Sequence, residues 1–185
     1  MATPTSLPAS FVSGAVLTAA QMNNLRGAFR VLQVASTVKT DAFTTTSTSY
    51  TDVTGLTVTI TPSATSSKIL LIACLNYSVV DNISGYGTAF RFNGGNSSTF
   101  VGDAAGSRTR AVVNFFAQDI WRVNNQLLPI NMVYLDSPST TSATTYAVQM
   151  KMTAQTGYVN RSGTDADDSL RGRGASSITA LEISA

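Results

Sequence analysis

The chain has 185 residues, a net charge of +2, 43% hydrophobic residues and only 12% charged ones, about half the charge of an average domain. It has no His, one Cys and one Glu, which removes the imidazole base, an intrachain disulfide, a cysteine zinc site and a Glu-based acid–base pair. No apolar run reaches the ~18 residues of a membrane span, the mild charge (pI ≈ 8.8) does not point to nucleic acid, and ordinary apolar content argues against disorder.

The polar surface is built of hydroxyls instead of ions: 26 Thr and 22 Ser make up the difference. Thr fits a pleated, half-exposed surface, so this composition predicts β-sheet. Residues 1–14 hold Pro4, Pro8, Ser and Thr and read as an extended arm. They contain no Lys or Arg, so the stretch is not a secretory signal and reads as mature protein. The sequons at Asn76, Asn82, Asn96 and Asn160 therefore carry no glycosylation meaning.

One helix signal follows. Thr18 and Gln21 fit a capping box, with Leu17 and Met22 as its hydrophobic staple. Met22, Leu25, Phe29 and Leu32 are spaced three, four and three apart, which is a narrow coiled-coil-like seam. Gly27 weakens it, and a helix this short is marginal alone in water. It needs a partner surface, either its own domain or copies of itself within a larger assembly, and the shift to β signals after residue 36 favours the second.

From there every signal is β. Leu56, Val58 and Ile60 alternate with Thr and end at Pro62. Lys68–Val80 is a long apolar run that predicts a strand covered on both faces. Ala89–Phe92 stops at Asn93-Gly-Gly-Asn96, strong turn chemistry. Val112–Trp121 is a second long run, within which Phe115 and Phe116 must face opposite ways. Leu128–Tyr134 alternates, with Pro129 marking an edge or a strand start. Tyr146–Met152 and Thr179–Ile183 alternate as well. Seven or eight strands with turns between them predict a mainly β fold, a β-sandwich or jelly roll with one short N-terminal helix and an extended arm. The division expected is an arm and helix over residues 1–34, for attachment or oligomerisation, and a β head over 35–185. The C-terminal strand is expected inside a sheet.

Little catalytic chemistry is on offer. Asp165, Asp167 and Asp168 form the one acidic cluster. It lacks the Gly and terminal Glu of an EF-hand, and reads as a solvated loop more readily than as a Ca²⁺ site. Arg171-Gly-Arg-Gly174 beside it reads as a loop that neutralises those acids, with contact to phosphate or an acidic sugar as the second reading. No phosphate loop and no nucleophile elbow are present. The expectation is no enzyme, no cofactor and no metal. Tyr86, Trp121, Arg122 and Tyr158 are the residues marked for receptor contact, because exposed aromatics and an Arg beside loops are sugar-stacking devices.

Phe11-Val-Ser-Gly-Ala-Val-Leu-Thr-Ala-Ala-Gln-Met-Asn-Asn-Leu25 resembles the N-terminal segment of tailed-bacteriophage fibre and appendage proteins. Thr54–Leu71, Tyr134–Tyr146 and Ser177–Ile183 are similar to small β modules of phage, particularly cyanophage, structural proteins. The resemblance implies a virion protein assembled in the host cytoplasm, with a trimeric jelly-roll head like those of C1q- and TNF-like proteins. It implies a short fibre or adhesin-type appendage: a homotrimer anchored to other phage structural proteins by Leu17, Thr18, Gln21, Met22, Leu25, Phe29 and Leu32, its head meeting a host-surface glycan or protein. Neither nucleic-acid binding nor membrane insertion is implied. The alternative is a capsid decoration protein that stabilises the phage head. The chain lacks the long repetitive shaft of many phage fibres.

Overall fold

The computed structural model describes residues 31–80, 86–117 and 125–184, with Gly14, Val16, Thr18 and Ala19 ahead of them; the side chains of Val80, Tyr86 and Ala117 are outside that description. The helix positions Leu17, Gln21, Met22, Leu25 and Phe29 lie outside the described residues, as do Trp121 and Arg122.

Among the described residues ten strands follow one another: β1 (Val31–Lys39), β2 (Phe43–Thr45), β3 (Thr51–Ile60), β4 (Lys68–Val80), β5 (Tyr86–Asn93), β6 (Val113–Ala117), β7 (Leu128–Asp136), β8 (Thr144–Met152), β9 (Thr156–Val159) and β10 (Ser176–Ile183). They form two antiparallel sheets. The larger runs β1-β10-β4-β7, with β9 and β2 continuing on the β10 side of β4 beyond Tyr77. The smaller runs β3-β8-β5-β6. This is the expected β-sandwich of jelly-roll type.

Period-two alternation builds the core. The larger sheet sends Ile69, Leu71, Leu75, Ile130, Met132, Ile178 and Ala180 inward. The smaller sheet answers with Leu56, Val58, Ile60, Phe90, Phe92, Val148, Met150 and Met152. Phe115 joins this core with its ring 4.9 Å from that of Tyr77, while its neighbour Phe116 is 62% exposed. Phe100, from the segment between β5 and β6, stacks on Tyr134 of β7 with ring centroids 4.4 Å apart.

The sequence reading needs correction in three places. Leu32 is not in a helix; it lies in β1, which begins at Val31, four residues ahead of the expected head boundary. Its helical spacing from Phe29 is overridden by eight residue pairs between β1 and β10. Next, β4 is covered on one face only: Leu70 and Ile72 are half-exposed and Cys74 is exposed. Third, β2 and β9, of three and four residues, are too short to show a period. The expected position of the last strand holds, since β10 lies between β1 and β4. Pro129 also sits where expected, second in β7, which among the described residues pairs only with β4.

Two buried polar groups lock the loops to the sheets. Glu182 on β10, fully buried, accepts from the Ser63 N–H and hydroxyl, from the Ser67 hydroxyl and from Gln33 Nε2, at 2.6–2.7 Å. Asn160, also fully buried and at φ +67°, donates Nδ2 to the Lys39 carbonyl (2.8 Å) and accepts from the Ser176 hydroxyl (2.6 Å). Its burial leaves that sequon no route to a glycan.

Candidate functional site

The outer face of the larger sheet carries apolar side chains where an antiparallel sandwich ordinarily presents polar ones. The register places Val34, Leu181, Leu70 and Leu135 in one row across β1, β10, β4 and β7. The adjacent row is Ser36, Thr179, Ile72 and Val133, and the next is Val38, Ser177, Cys74 and Asn131. Val34 is 59% exposed, Val38 64%, Val133 55% and Leu135 52%. Lys68, at the margin opposite Ile183, is the one charged residue at the outer positions of these four strands. Scattered exposed apolar residues are ordinary, but a row of them across four strands, flanked by Ile72, Val133 and Val38, is the kind of patch that marks a contact surface. Sequence reasoning missed this face because the sign of each strand's exposed side is not written in its own alternation.

Among the residues marked for receptor contact, Tyr158 is on β9, half-buried, with one ring face covered by the Arg161 guanidinium at 4.2 Å. Tyr86 opens β5 and pairs with Ala117. Trp121 and Arg122 lie outside the described residues. The acidic loop is neutralised: Asp165 pairs with Arg161 (3.3 Å) and Arg173 (2.8 Å), and Asp168 pairs with Arg171. Among the described residues no group of three or more acidic or Cys side chains is placed to hold a metal.

A pocket of about 510 Å³ opens on the other side of the sandwich, against the outer face of the smaller sheet. The segment between β5 and β6 folds beside this face. Its end is tied down by the Val112 N–H donating to the Phe90 carbonyl (2.9 Å) and by Arg110 Nε donating to the Gly102 carbonyl (2.7 Å). The Tyr50 hydroxyl donates to the Arg110 carbonyl at 2.5 Å. Four cations line the pocket, Arg91, Arg108, Arg110 and Lys151, with no acidic residue beside them. Burial pushes the Tyr50 phenol above its ordinary range, against the pull of the Arg91 charge. The Arg91 guanidinium lies 4.0 Å over the Tyr50 ring, and Lys151 Nζ is 6.0 Å from it.

Sequence reasoning missed this pocket as well. Ser107-Arg-Thr-Arg110 is visible in the chain, but Arg91 and Lys151 are brought to it only by the pairing of β5 with β8.

No family model and no curated protein matches the chain. Among solved structures it is similar to that of infectious bursal disease virus strain Gt: 12% identity, TM-score 0.35, 82% of this chain and 42% of that one. It is also similar to the VP2 subviral particle of the same virus: 12% identity, TM-score 0.33, 82% and 39%. T=1 particles derived from the virus give 13% identity, TM-score 0.31, 83% and 36%. The chain spans about two fifths of the length of these structures. At such identities and TM-scores the likeness bears on neither family nor function. Among the described residues no helix is long and apolar enough to cross a membrane.

Proposed function

We propose that the chain is a self-assembling, non-enzymatic structural protein of a virion, a short trimeric appendage of a tailed phage. Its N-terminal segment anchors it and its β head meets the host surface. The observation that carries self-assembly is the apolar row Val34–Leu181–Leu70–Leu135 across the larger sheet. A second copy is the occupant that suits this face. With Lys68 alone charged at its margin, three copies can turn this face toward a common threefold axis without opposed charges over most of its area. In sequence β1 follows directly on the N-terminal seam, and it supplies Val31, Val34 and Val38 to this face. The resemblance of Phe11–Leu25 to phage appendage proteins supports the virion setting. Three weak host contacts in one trimer raise apparent affinity ~10²–10⁴-fold without new contacts.

Analytical ultracentrifugation tests the assembly. The full chain is expected at three times its 19.4 kDa monomer mass, and V34D/L135D at one. Both positions are more than half exposed, so the variant is expected to retain monomer stability within about 1 kcal/mol. Cys74, on the same face, should react slowly with a thiol reagent in the assembled chain and quickly in the variant. A wild-type chain that stays monomeric across a concentration series sinks the self-assembly reading, since association by mass action must grow with protomer concentration. Antibody-gold labelling of virions tests the setting: label at the tail supports an appendage, and label over the head replaces it with capsid decoration.

A further inference from the structure

We propose that the pocket walled by Tyr50, Arg91, Arg108, Arg110 and Lys151 binds an acidic saccharide, one whose sugar ring carries a carboxylate, sulfate or phosphate. The proposal deepens the host-surface reading above by naming the ligand class and the place on the head.

The charge distribution makes the argument. The chain has only 12 Lys and Arg in all, and four of them line one concave site. The other basic cluster, at Arg161, Arg171 and Arg173, is neutralised by Asp165 and Asp168. The pocket cations form none of the ion pairs found among the described residues. On the same strand row, Asp52 is kept from Arg91 by Gln149, which accepts from Arg91 Nε (2.7 Å) and donates to Asp52 (2.7 Å). Like charges gathered in a cleft without counter-charges hold a potential that concentrates anions.

The site is built rather than incidental. The Arg91 guanidinium is held by Gln149 on one side and by the Tyr50 ring below it. Arg110 is fixed through Nε and leaves its terminal nitrogens for a forked contact to an anionic oxygen pair. Arg108 is exposed at the rim and has no side-chain hydrogen bond among the described residues. It is free to close on a ligand.

The remaining lining favours a sugar over a nucleic acid. Ser98, Thr99, Ser107 and Thr109 also line the pocket, and hydroxyls there match sugar hydroxyls; the Thr99 hydroxyl donates to the Asn96 carbonyl (2.7 Å) and is left to accept. The volume of about 510 Å³ suits one or two sugar rings, within the range of small-ligand sites. Tyr50 is the one aromatic residue lining the pocket, and one face of its ring is taken by Arg91, so the site lacks the run of aromatic platforms on which successive bases of single-stranded nucleic acid stack.

Calorimetric titration of the full chain tests this. The probes are a uronic-acid trisaccharide, a sulfated trisaccharide, the matching neutral trisaccharide and a short single-stranded oligonucleotide. The expected result is binding of an acidic trisaccharide that weakens with salt, is absent for the neutral one and falls at least tenfold in R108Q/K151Q. Neither substituted side chain makes a hydrogen bond among the described residues, so the variant should unfold at the wild-type temperature. Whichever acidic probe binds more tightly identifies the anion. The proposal is overturned if no acidic trisaccharide binds at millimolar concentration, if the neutral sugar binds equally, if R108Q/K151Q binds as wild type, or if the oligonucleotide binds best. Loss of this binding in a chain that still sediments as a trimer overturns the pocket alone. Binding by a chain that sediments as a monomer overturns self-assembly alone.

Discussion

Gly94→Ala is expected to lower stability by about 3–5 kcal/mol, a large part of the ~5–15 kcal/mol that holds a domain folded. Two causes act together. The residue sits at φ +104°, a backbone region costly for any side chain, at about 1–3 kcal/mol. The added Cβ would also lie 2.0 Å from the Thr145 carbonyl oxygen and 3.1 Å from Tyr146 Cα, backbone atoms of β8 that cannot give way as a flexible side chain does. Overpacking of this kind adds about 1–3 kcal/mol.

The turn matters because it seats a buried contact. Asp136 is fully buried at the end of β7, and its Oδ2 accepts from the Tyr146 hydroxyl at 2.7 Å and from the Asn96 N–H at 3.3 Å. Burial, reinforced by that contact with Asp136, pushes the Tyr146 phenol well above its ordinary range. Moving Gly94 away from β8 would unseat Asn96 and open this cluster. Gly106→Ala is the control: it is also at positive φ (+60°), but its Cβ meets nothing within 4 Å. It should cost about 1 kcal/mol, the conformational part alone. Urea unfolding of both variants separates the effects. Equal midpoints for the two would show that β8 yields and that close approach contributes nothing.

Glu182→Gln is expected to cost about 2–3 kcal/mol, in the range for disrupting a buried hydrogen-bond network. Oε1 accepts three bonds, two from Ser63 and one from Ser67, and Oε2 accepts the fourth from Gln33. An amide can keep one of these oxygens. Its nitrogen would then oppose either the serines or the Gln33 nitrogen, donor against donor. Gln33 also donates to the Thr61 carbonyl at 2.6 Å, so the loss would loosen β1 and the loop ahead of β4 together.

The same network sets a pH dependence. Burial raises the Glu182 carboxyl, but the donors outweigh it and hold the group below its ordinary value of 4.5. A folded-state value below the unfolded one means that the stabilisation is complete above the unfolded value and is lost as pH falls through the folded one. The stability difference between wild type and Glu182→Gln should therefore shrink as pH drops from about 6 to about 3. A gap that stays constant across that range would mean that the carboxylate's charge plays no part.

Much of the fold is legible in the residues. Lys68–Val80 coincides with β4 end to end, and Tyr146–Met152 and Thr179–Ile183 fall within β8 and β10. Long strands repeat their inward side chains often enough for a period to stand out. Val31–Lys39 does not announce itself, because Leu32 continues the spacing of Met22, Leu25 and Phe29 and so borrows a helical period from the residues before it. β2 and β9 exist through their pairing with each other and with Tyr77–Val80. The importance of Glu182 is half legible: as the only Glu of the chain it is conspicuous, but its four donors come from β1 and from Ser63 and Ser67, more than 110 residues away along the chain.

By itself the sequence determined the class of the fold, the positions of its long strands, the turn at Gly94–Gly95, and the absence of His-based or disulfide chemistry. These follow from local properties: side-chain period, backbone freedom and residue inventory. Tertiary structure decided which side of the larger sheet is left apolar and open, which cations lose their counter-charges and which keep them, and where a cavity forms. Those depend on register between strands about 50 to 150 residues apart. A one-residue slip in that register would turn every side chain to the other face, so no property of a single strand can specify it.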